Sequence, residues 1–398
     1  MISTETNPPG RRQFHLAEKL LLLKVKPIDM NPFDLNPARA YTTPEAFCPR
    51  PDLSAVLRRA AAGRLWTLIA GERRMGKSSA IIADCVRARR RILQVDLMGV
   101  TSAEDINERF RWAWAVFLQQ DSGGIFSGLA PEISASIPGT GVEVKLGGQA
   151  GAAPQTWGDI IMAYDKRVGK AGGLLFLDEF QDLFHLPDKG QKATRSLRAA
   201  LQMTKHVTLV LAGSSQHLLS TFFATSAAAF FKGMRLQHRV DPLEQGRFLQ
   251  WAGAIFKQQH RGIEPAALTR LYELTDGITE DLVAVCAEIW VAETKGRSIT
   301  PADVESAWRL VVSNASQFFL PHLSSLSALQ AQLLRHLARN PGVQPFSDST
   351  LRALGSGNSA VHKALARLHE LELVRIEESA GRKRVWIHDP RLAFYLRT

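Results

Sequence analysis

The sequence predicts an α/β protein: a parallel sheet carrying a phosphate-binding loop, then a helical lid, then a C-terminal winged helix. Three observations predict it. Gly71-Glu72-Arg73-Arg74-Met75-Gly76-Lys77-Ser78 fits G-x-x-x-x-G-K-[ST] at every required position, between a strand-length apolar run (65–70) and a helically spaced stretch (79–86). About 100 residues later, Leu174-Leu175-Phe176-Leu177 ends in the adjacent carboxylates Asp178 and Glu179. From Leu323 onward the pattern is helix, helix-turn-helix, then two strands around a basic tip.

Residues 1–40 read as a flexible arm, because Pro8-Pro9-Gly10, Pro27, Pro32 and Pro37 interrupt any regular element. A core is expected over 41–247. It starts with a helix at 51–60, Pro51 at its first position. In the loop, the glycines allow the backbone to curl so that successive N–H groups face phosphate oxygens. The following helix adds the positive end of its dipole. Lys77 is placed to reach the β/γ-phosphates of ATP and Ser78 to ligate Mg²⁺. Residues 92–97 form a second strand, and 103–119 a helix whose Phe110, Trp112, Trp114 and Phe117 belong to the core.

The Gly/Ser/Ala/Pro-rich stretch 121–156 reads as an inserted β-hairpin, with alternation over 132–137 and 142–146 around Gly139-Thr140-Gly141. It is either a contact loop or a plain surface hairpin. The acids at the third strand's tip lie where ligands bind in parallel sheets. Asp178 is placed to hold Mg²⁺ through water, and Glu179 to polarise the attacking water as general base. A fourth strand, 207–212, ends in Gly213-Ser214-Ser215. Ser214, with Ser215 close behind, can position water or touch the γ-phosphate. Before a fifth strand at 236–240, Arg235 is a candidate arginine finger for a neighbouring subunit, with Arg239 as the alternative; either could equally be a surface charge.

Residues 248–318 read as a helical lid. Phe248, Trp251, Ala252, Ile255 and Phe256 keep helical spacing. Asp276-Gly277 is a helix stop with Thr279 as the next N-cap, and Thr300-Pro301 opens another helix. In the winged helix, 319–398, Asn358 caps the second helix of the turn motif. Ser359, His362, Lys363 and Arg367 would face a DNA groove or its phosphates, and Arg382, Lys383 and Arg384 would sit on the wing. A winged helix can also serve as a protein-contact module.

Composition bounds the partners. The 398 residues carry a formal charge of +11, so an acidic partner such as nucleic acid is plausible. Three widely spaced cysteines, Cys48, Cys85 and Cys286, without C-x-x-C argue against a disulfide framework or zinc site and fit a reducing cytoplasm. No apolar run approaches the length of a membrane span, and the patch at 20–23 is too short and too flanked by lysine for a secretion signal.

Several stretches resemble the archaeal-type ATPases of the AAA+/STAND group, relatives of origin-recognition initiators. Phe47-Cys48-Pro49-Arg50-Pro51-Asp52-Leu53 is similar to that family's F-x-x-R-x-x-E/D-L. Gly71-x-Arg73-Arg74-x-Gly76-Lys77-Ser78-Ser79 is similar to its G-x-R-R-x-G-K-[ST]-S. Val95-Asp96-Leu97, Phe176-Leu177-Asp178-Glu179-Phe180-Gln181, Gly213-Ser214 and the Asp389-Pro390 ending resemble its later motifs. Gly233-Met234 stands where the family often has Gly-Arg, and Gly277-Ile278-Thr279 resembles transposon ATPase regulators instead. The resemblance implies an AAA+-like ATPase core, with five parallel strands in the order 5-1-4-3-2. It implies nucleotide contacts from Gly71 through Ser79 (Arg73, Arg74, Met75 and Ser79 included), binding of ATP·Mg²⁺, and homo-oligomers. Two functions are expected from this: a DNA-associated ATPase switch or motor in replication, transposition or defence, or a signalling switch whose winged helix binds protein. No effector motif is visible, so an effector would be a separate chain.

Overall fold

Apolar runs with no polar interruption form strands that need cover on both faces, and the chain supplies that cover with helices before and after them. In a computed structural model of the protein, the described residues are 31–33, 39–121, 133–136, 143–146, 154–214, 230, 232–292, 296–379 and 382–397. The first strand and its flanking helices are α1 (Pro51–Gly63), β1 (Trp66–Ala70) and α2 (Lys77–Arg87). Next come β2 (Arg91–Asp96), α3 (Ala103–Asp121), the hairpin strands β3 (Ile133–Ser136) and β4 (Glu143–Leu146), and α4 (Trp157–Val168). Then follow β5 (Gly173–Asp178), α5 (Gln191–Gln202), β6 (Val207–Gly213) and β7 (Met234–Arg239).

The sheet runs β2-β5-β6-β1-β7, with all four pairings parallel. Counting only its own strands in chain order, this is 2-3-4-1-5, the expected order read from the other edge. Alternate residues face opposite layers. Leu68, Leu93 and Val95 join α3, α4 and α5 on one side, while Ile69 and Ile92 join α1 and α2 on the other. Phe110, Trp114 and Phe117 are core as expected; Trp112 only packs against it. Parallel pairing puts every carboxyl end on one edge: Ala70, Asp96, Asp178, Gly213 and Arg239. β3 and β4 pair antiparallel with Ile133 opposite Leu146, while their connection, with Gly139-Thr140-Gly141, lies outside the described residues.

The helical region comprises α6 (Gln245–Gln258), α7 (Pro265–Thr275), α8 (Thr279–Val291) and α9 (Pro301–Ser324). Three findings differ from expectation. Residues 31–33 are not a free arm: Phe33 is buried against Trp251, Phe256 and Trp290, and Asn31 donates to the Ala287 carbonyl. The rest of the expected arm, 1–30 and 34–38, lies outside the described residues. Thr279 is the first helical residue rather than the cap, which is Ile278, because its hydroxyl is used on the Met75 carbonyl (3.0 Å). And α9 runs unbroken through position 318, where a boundary was expected.

The C-terminal unit is α10 (Ala328–Arg339), α11 (Asp348–Leu354), α12 (Asn358–Glu370), the antiparallel pair β8 (Val374–Ser379) and β9 (Arg382–Ile387), and α13 (Pro390–Tyr395). This is the expected helix and hairpin order, around its own core of Leu333, Leu337, Val361 and Leu365. Asn358 opens α12 rather than capping it; Gly357 holds the cap position without a side-chain bond. Among the described residues no helix is long and apolar enough to cross a membrane, and the three cysteines are free.

Candidate phosphate-loop site

The loop between β1 and α2 is shaped by its glycines. A Cβ on Gly71 would lie 2.6 Å from the Val240 carbonyl oxygen, so no larger residue fits. Gly76 has φ +71°, a left-handed conformation that costs glycine nothing, and Arg74 adopts φ +70° beside it. Met75 turns its side chain into the core, and its carbonyl accepts from Arg50 (2.9 Å) and Thr279. Arg50 also donates to the Asp241 carbonyl (2.9 Å) and the Thr279 hydroxyl (2.8 Å). One buried arginine therefore ties the loop to the end of the sheet and to the start of α8. It was visible in the sequence only as part of a motif.

Lys77 is buried, and its ammonium donates to the carbonyls of Gly71 (2.9 Å) and Glu72 (2.8 Å). Desolvation lowers its pKa, against the pull of Glu179 and Asp178. Ser78 hydrogen-bonds the Asp178 carboxylate, which burial pushes up to about 6 with Glu179 and Asp96 adding to the rise. The Ser78–Asp178 pair, a hydroxyl and a buried carboxylate, offers the oxygen ligands that a hard cation such as Mg²⁺ takes. Ser79 lies in the first turn of α2.

Glu179 has φ +46° at the tip of β5. Its Oε2 accepts from the Ser214 hydroxyl (2.7 Å) and from the Gln181 amide. The same amide donates to Ser214 Oγ (3.3 Å) and Asp182 Oδ1 (3.2 Å), and Arg73 Nε reaches Ser214 Oγ at 3.5 Å. The expected site residues Lys77, Ser78, Asp178, Glu179 and Ser214 thus lie together, with Arg73 joining through Ser214. Ser215 lies outside the described residues. Ser214 differs from expectation in that its hydroxyl is held by Glu179.

Two expected residues lie elsewhere. The Arg74 side chain, expected at the nucleotide, joins an ionic cluster instead. It contacts Asp281, Asp389 (2.7 Å) and Glu280 (3.6 Å), and Arg391 joins it through Asp281 (2.5 Å) and Glu280 (3.1 Å). The reason is charge and burial: Asp281 is 0% exposed, and burial pushes its carboxyl up to about 6 despite both guanidiniums. The Arg74 carbonyl accepts from the Glu280 N–H (3.0 Å), so only its backbone remains part of the loop's curl. His388 beside Glu72 (3.6 Å) and Arg375 on Asp276 (3.2 Å) add further links from the C-terminal unit to the loop and helical region. Arg235 is exposed at the amino end of β7, the opposite edge of the sheet from its own phosphate loop. Arg239, at the carboxyl end, is held by Asp241 (2.9 Å).

On the C-terminal unit, Ser359, His362, Lys363 and Arg367 share the exposed face of α12, and Lys383 and Arg384 are exposed on β9. One of these charges is paired and two stand opposite glutamates. Arg367 meets Glu370 (3.0 Å), and the hairpin register sets Glu377 opposite Arg384 and Glu378 opposite Lys383. Arg382 opens β9 opposite Ser379.

No protein-family model matches the chain, and no curated protein matches it. Among solved structures it is similar to a Walker-type ATPase of Pyrococcus abyssi, with a TM-score of 0.65 and 18% identity over 92% of this chain and 100% of that one. It is also similar to the ORC2 protein of Aeropyrum pernix in its ADPNP–ADP complexes, at 0.55 and 17% over 93% and 96%. The chain therefore shares the α/β fold of these two structures, a five-stranded parallel sheet with surrounding helices.

Proposed function

We propose that the chain is a Mg²⁺-dependent ATPase acting as a DNA-associated switch or motor. The division of labour is a nucleotide core at 41–247, a helical lid from 248 and a winged-helix output module reaching to 398, the last two joined by α9, which runs through the expected boundary at 318. The observation that carries this reading is the convergence of Lys77, the Ser78–Asp178 pair and Glu179 on one sheet edge.

The residues divide the work. Backbone N–H groups of the loop and the α2 amino terminus hold the phosphates. Lys77 exchanges its two carbonyl partners for phosphate oxygens, which make stronger charge-assisted bonds. Ser78 and Asp178 would hold Mg²⁺, which when bound offsets charge on the phosphates. Glu179 takes the proton of the attacking water through Oε1, since both of its donors fall on Oε2. Arg235 faces away from its own site and would act only on a neighbouring subunit's nucleotide. The acidic partner of the basic chain is double-stranded DNA, met by α12 and the wing.

The test is phosphate release from ATP with and without duplex DNA. Glu179→Gln should lower turnover by about 10² or more while keeping nucleotide binding; unchanged turnover would overturn the assignment. The Arg367–Glu370 pair on α12 and the glutamates set opposite Lys383 and Arg384 on the wing favour a second reading, a signalling ATPase switch whose winged helix binds a protein partner. DNA affinity that ignores salt would select it, because phosphate contacts release counterions.

A further inference from the structure

The turn after β5 holds a buried amide that the reading above leaves without a task. Gln181 is 1% exposed, and its Nε2 faces two carboxylates, Glu179 and Asp182, together with Ser214 Oγ. That acceptor set fixes the amide orientation, since a flipped carbonyl would meet both carboxylates. Its Oε1 is buried with no hydrogen-bond partner among the described residues. Half of the amide is thus desolvated without return, a cost that a leucine or methionine of like volume would avoid. A residue serving only to fill this space would not need nitrogen here.

The network has a direction. Gln181 and Arg73 donate to Ser214, and Ser214 and Gln181 donate to Glu179 Oε2. Donors in series polarise one another. Asp182 anchors the far side by accepting from the Gln181 amide (3.2 Å) and the Gly99 N–H (2.8 Å). With Oε2 fixed by two donors, Oε1 is the oxygen left to face a water, on a residue whose φ of +46° already aims it off the strand axis.

The geometry points to Gln181 as the positioning residue for Glu179: its amide clamps one carboxylate oxygen, directly and through Ser214, so that the other meets the attacking water. This rests on the reading of Glu179 as general base. In this assignment Gln181 acts through Glu179.

The test measures kcat and KM for ATP by phosphate release, under whichever condition, with or without duplex DNA, gives the unmodified chain its faster turnover. Gln181→Leu keeps the volume and removes the donor. It should lower kcat about tenfold or more, as small misplacements of catalytic groups do, with KM for ATP within about twofold. In a Glu179→Gln background the same change should cost nothing further, because residues acting as a unit are non-additive. Gln181→Glu supplies a second variant whose donor is present only when protonated. Its turnover, relative to the unmodified chain, should fall as pH rises. An unchanged kcat in Gln181→Leu, an equal loss in both Glu179 backgrounds, or a flat relative pH profile for Gln181→Glu would overturn the assignment. If Glu179→Gln alone leaves turnover unchanged, the general-base reading fails and the clamp fails with it, an outcome distinct from a Gln181 effect that is merely additive.

Discussion

Lys77 is an ammonium held by two neutral carbonyls of its own loop, weaker partners than a phosphate would offer. Asp178 is the complementary case, a carboxylate pushed up to about 6 from an ordinary 3.8, chiefly by burial. Between those values the folded state holds a proton that the unfolded state has lost. Stability therefore falls as pH rises through that window, and the penalty is fully present above it. Asp178→Asn should raise the Tm of the nucleotide-free and metal-free protein at pH 8, worth about 1–3 kcal/mol, with the gain shrinking toward zero near pH 4. Calorimetry at both pH values checks this, and an equal shift at both would contradict it. The same substitution should abolish Mg²⁺-dependent turnover. That Lys77, Ser78, Asp178 and Glu179 lie together was legible in the sequence from the loop spacing and the strand tip. The contacts of Arg74 and Gln181 were not. The partners of Arg74 lie in α8 and at the cap of α13, more than two hundred residues away, and nothing near it in sequence announces them. Gln181 stands two residues after Glu179, but its role appears only when Ser214 arrives from another strand.

At the scale of elements, the sheet strands were readable because residues buried on both faces write continuous apolar runs, as in β5 and β6. Helix ends were less readable. Thr279 carries a capping residue type, yet its hydroxyl bonds the Met75 carbonyl, a tertiary contact that overrides local propensity. The boundary expected at 318 is missing because α9 continues into the C-terminal unit, where α13 packs back on it with Phe394 edge-on to Trp308. The Arg74 cluster joins the phosphate loop to α8 and α13 around a fully buried carboxylate. Arg74→Ala leaves Asp281 with Arg391 alone and should destabilise the protein by about 3 kcal/mol, as loss of one partner of a buried pair does. Adding Asp281→Asn should restore part of that loss. Chemical unfolding of the single and double variants reads the cycle, and additive losses would show that the cluster does not couple these elements.

For the whole molecule, the formal charge of +11 must be weighed against where it sits. On the wing, Lys383 and Arg384 each face a glutamate across the hairpin, which trims the charge available to DNA phosphates. Replacing Arg382, Lys383 and Arg384 with alanine should weaken duplex binding across sequences. It should also make the slope of log affinity against log salt shallower by up to about 3, near 0.9 for each phosphate that is no longer neutralised. Fluorescence anisotropy over a salt series measures this, and an unchanged slope would remove the wing from the DNA interface. The presence of a parallel sheet was legible in its apolar runs, whereas the order of its strands was expected only from the family resemblance. What the molecule moves with ATP was not legible, since output depends on a surface rather than on a motif.

In the proposed function, the loop at 71–78 binds nucleotide through Lys77. Calorimetric titration of ATP·Mg²⁺ into the unmodified protein and into Lys77→Ala tests it most directly. The unmodified protein should bind at one site per chain, and the variant should lose at least about a hundredfold in affinity, the worth of charge-assisted contacts to a buried phosphate. Equal affinity in both would contradict the account.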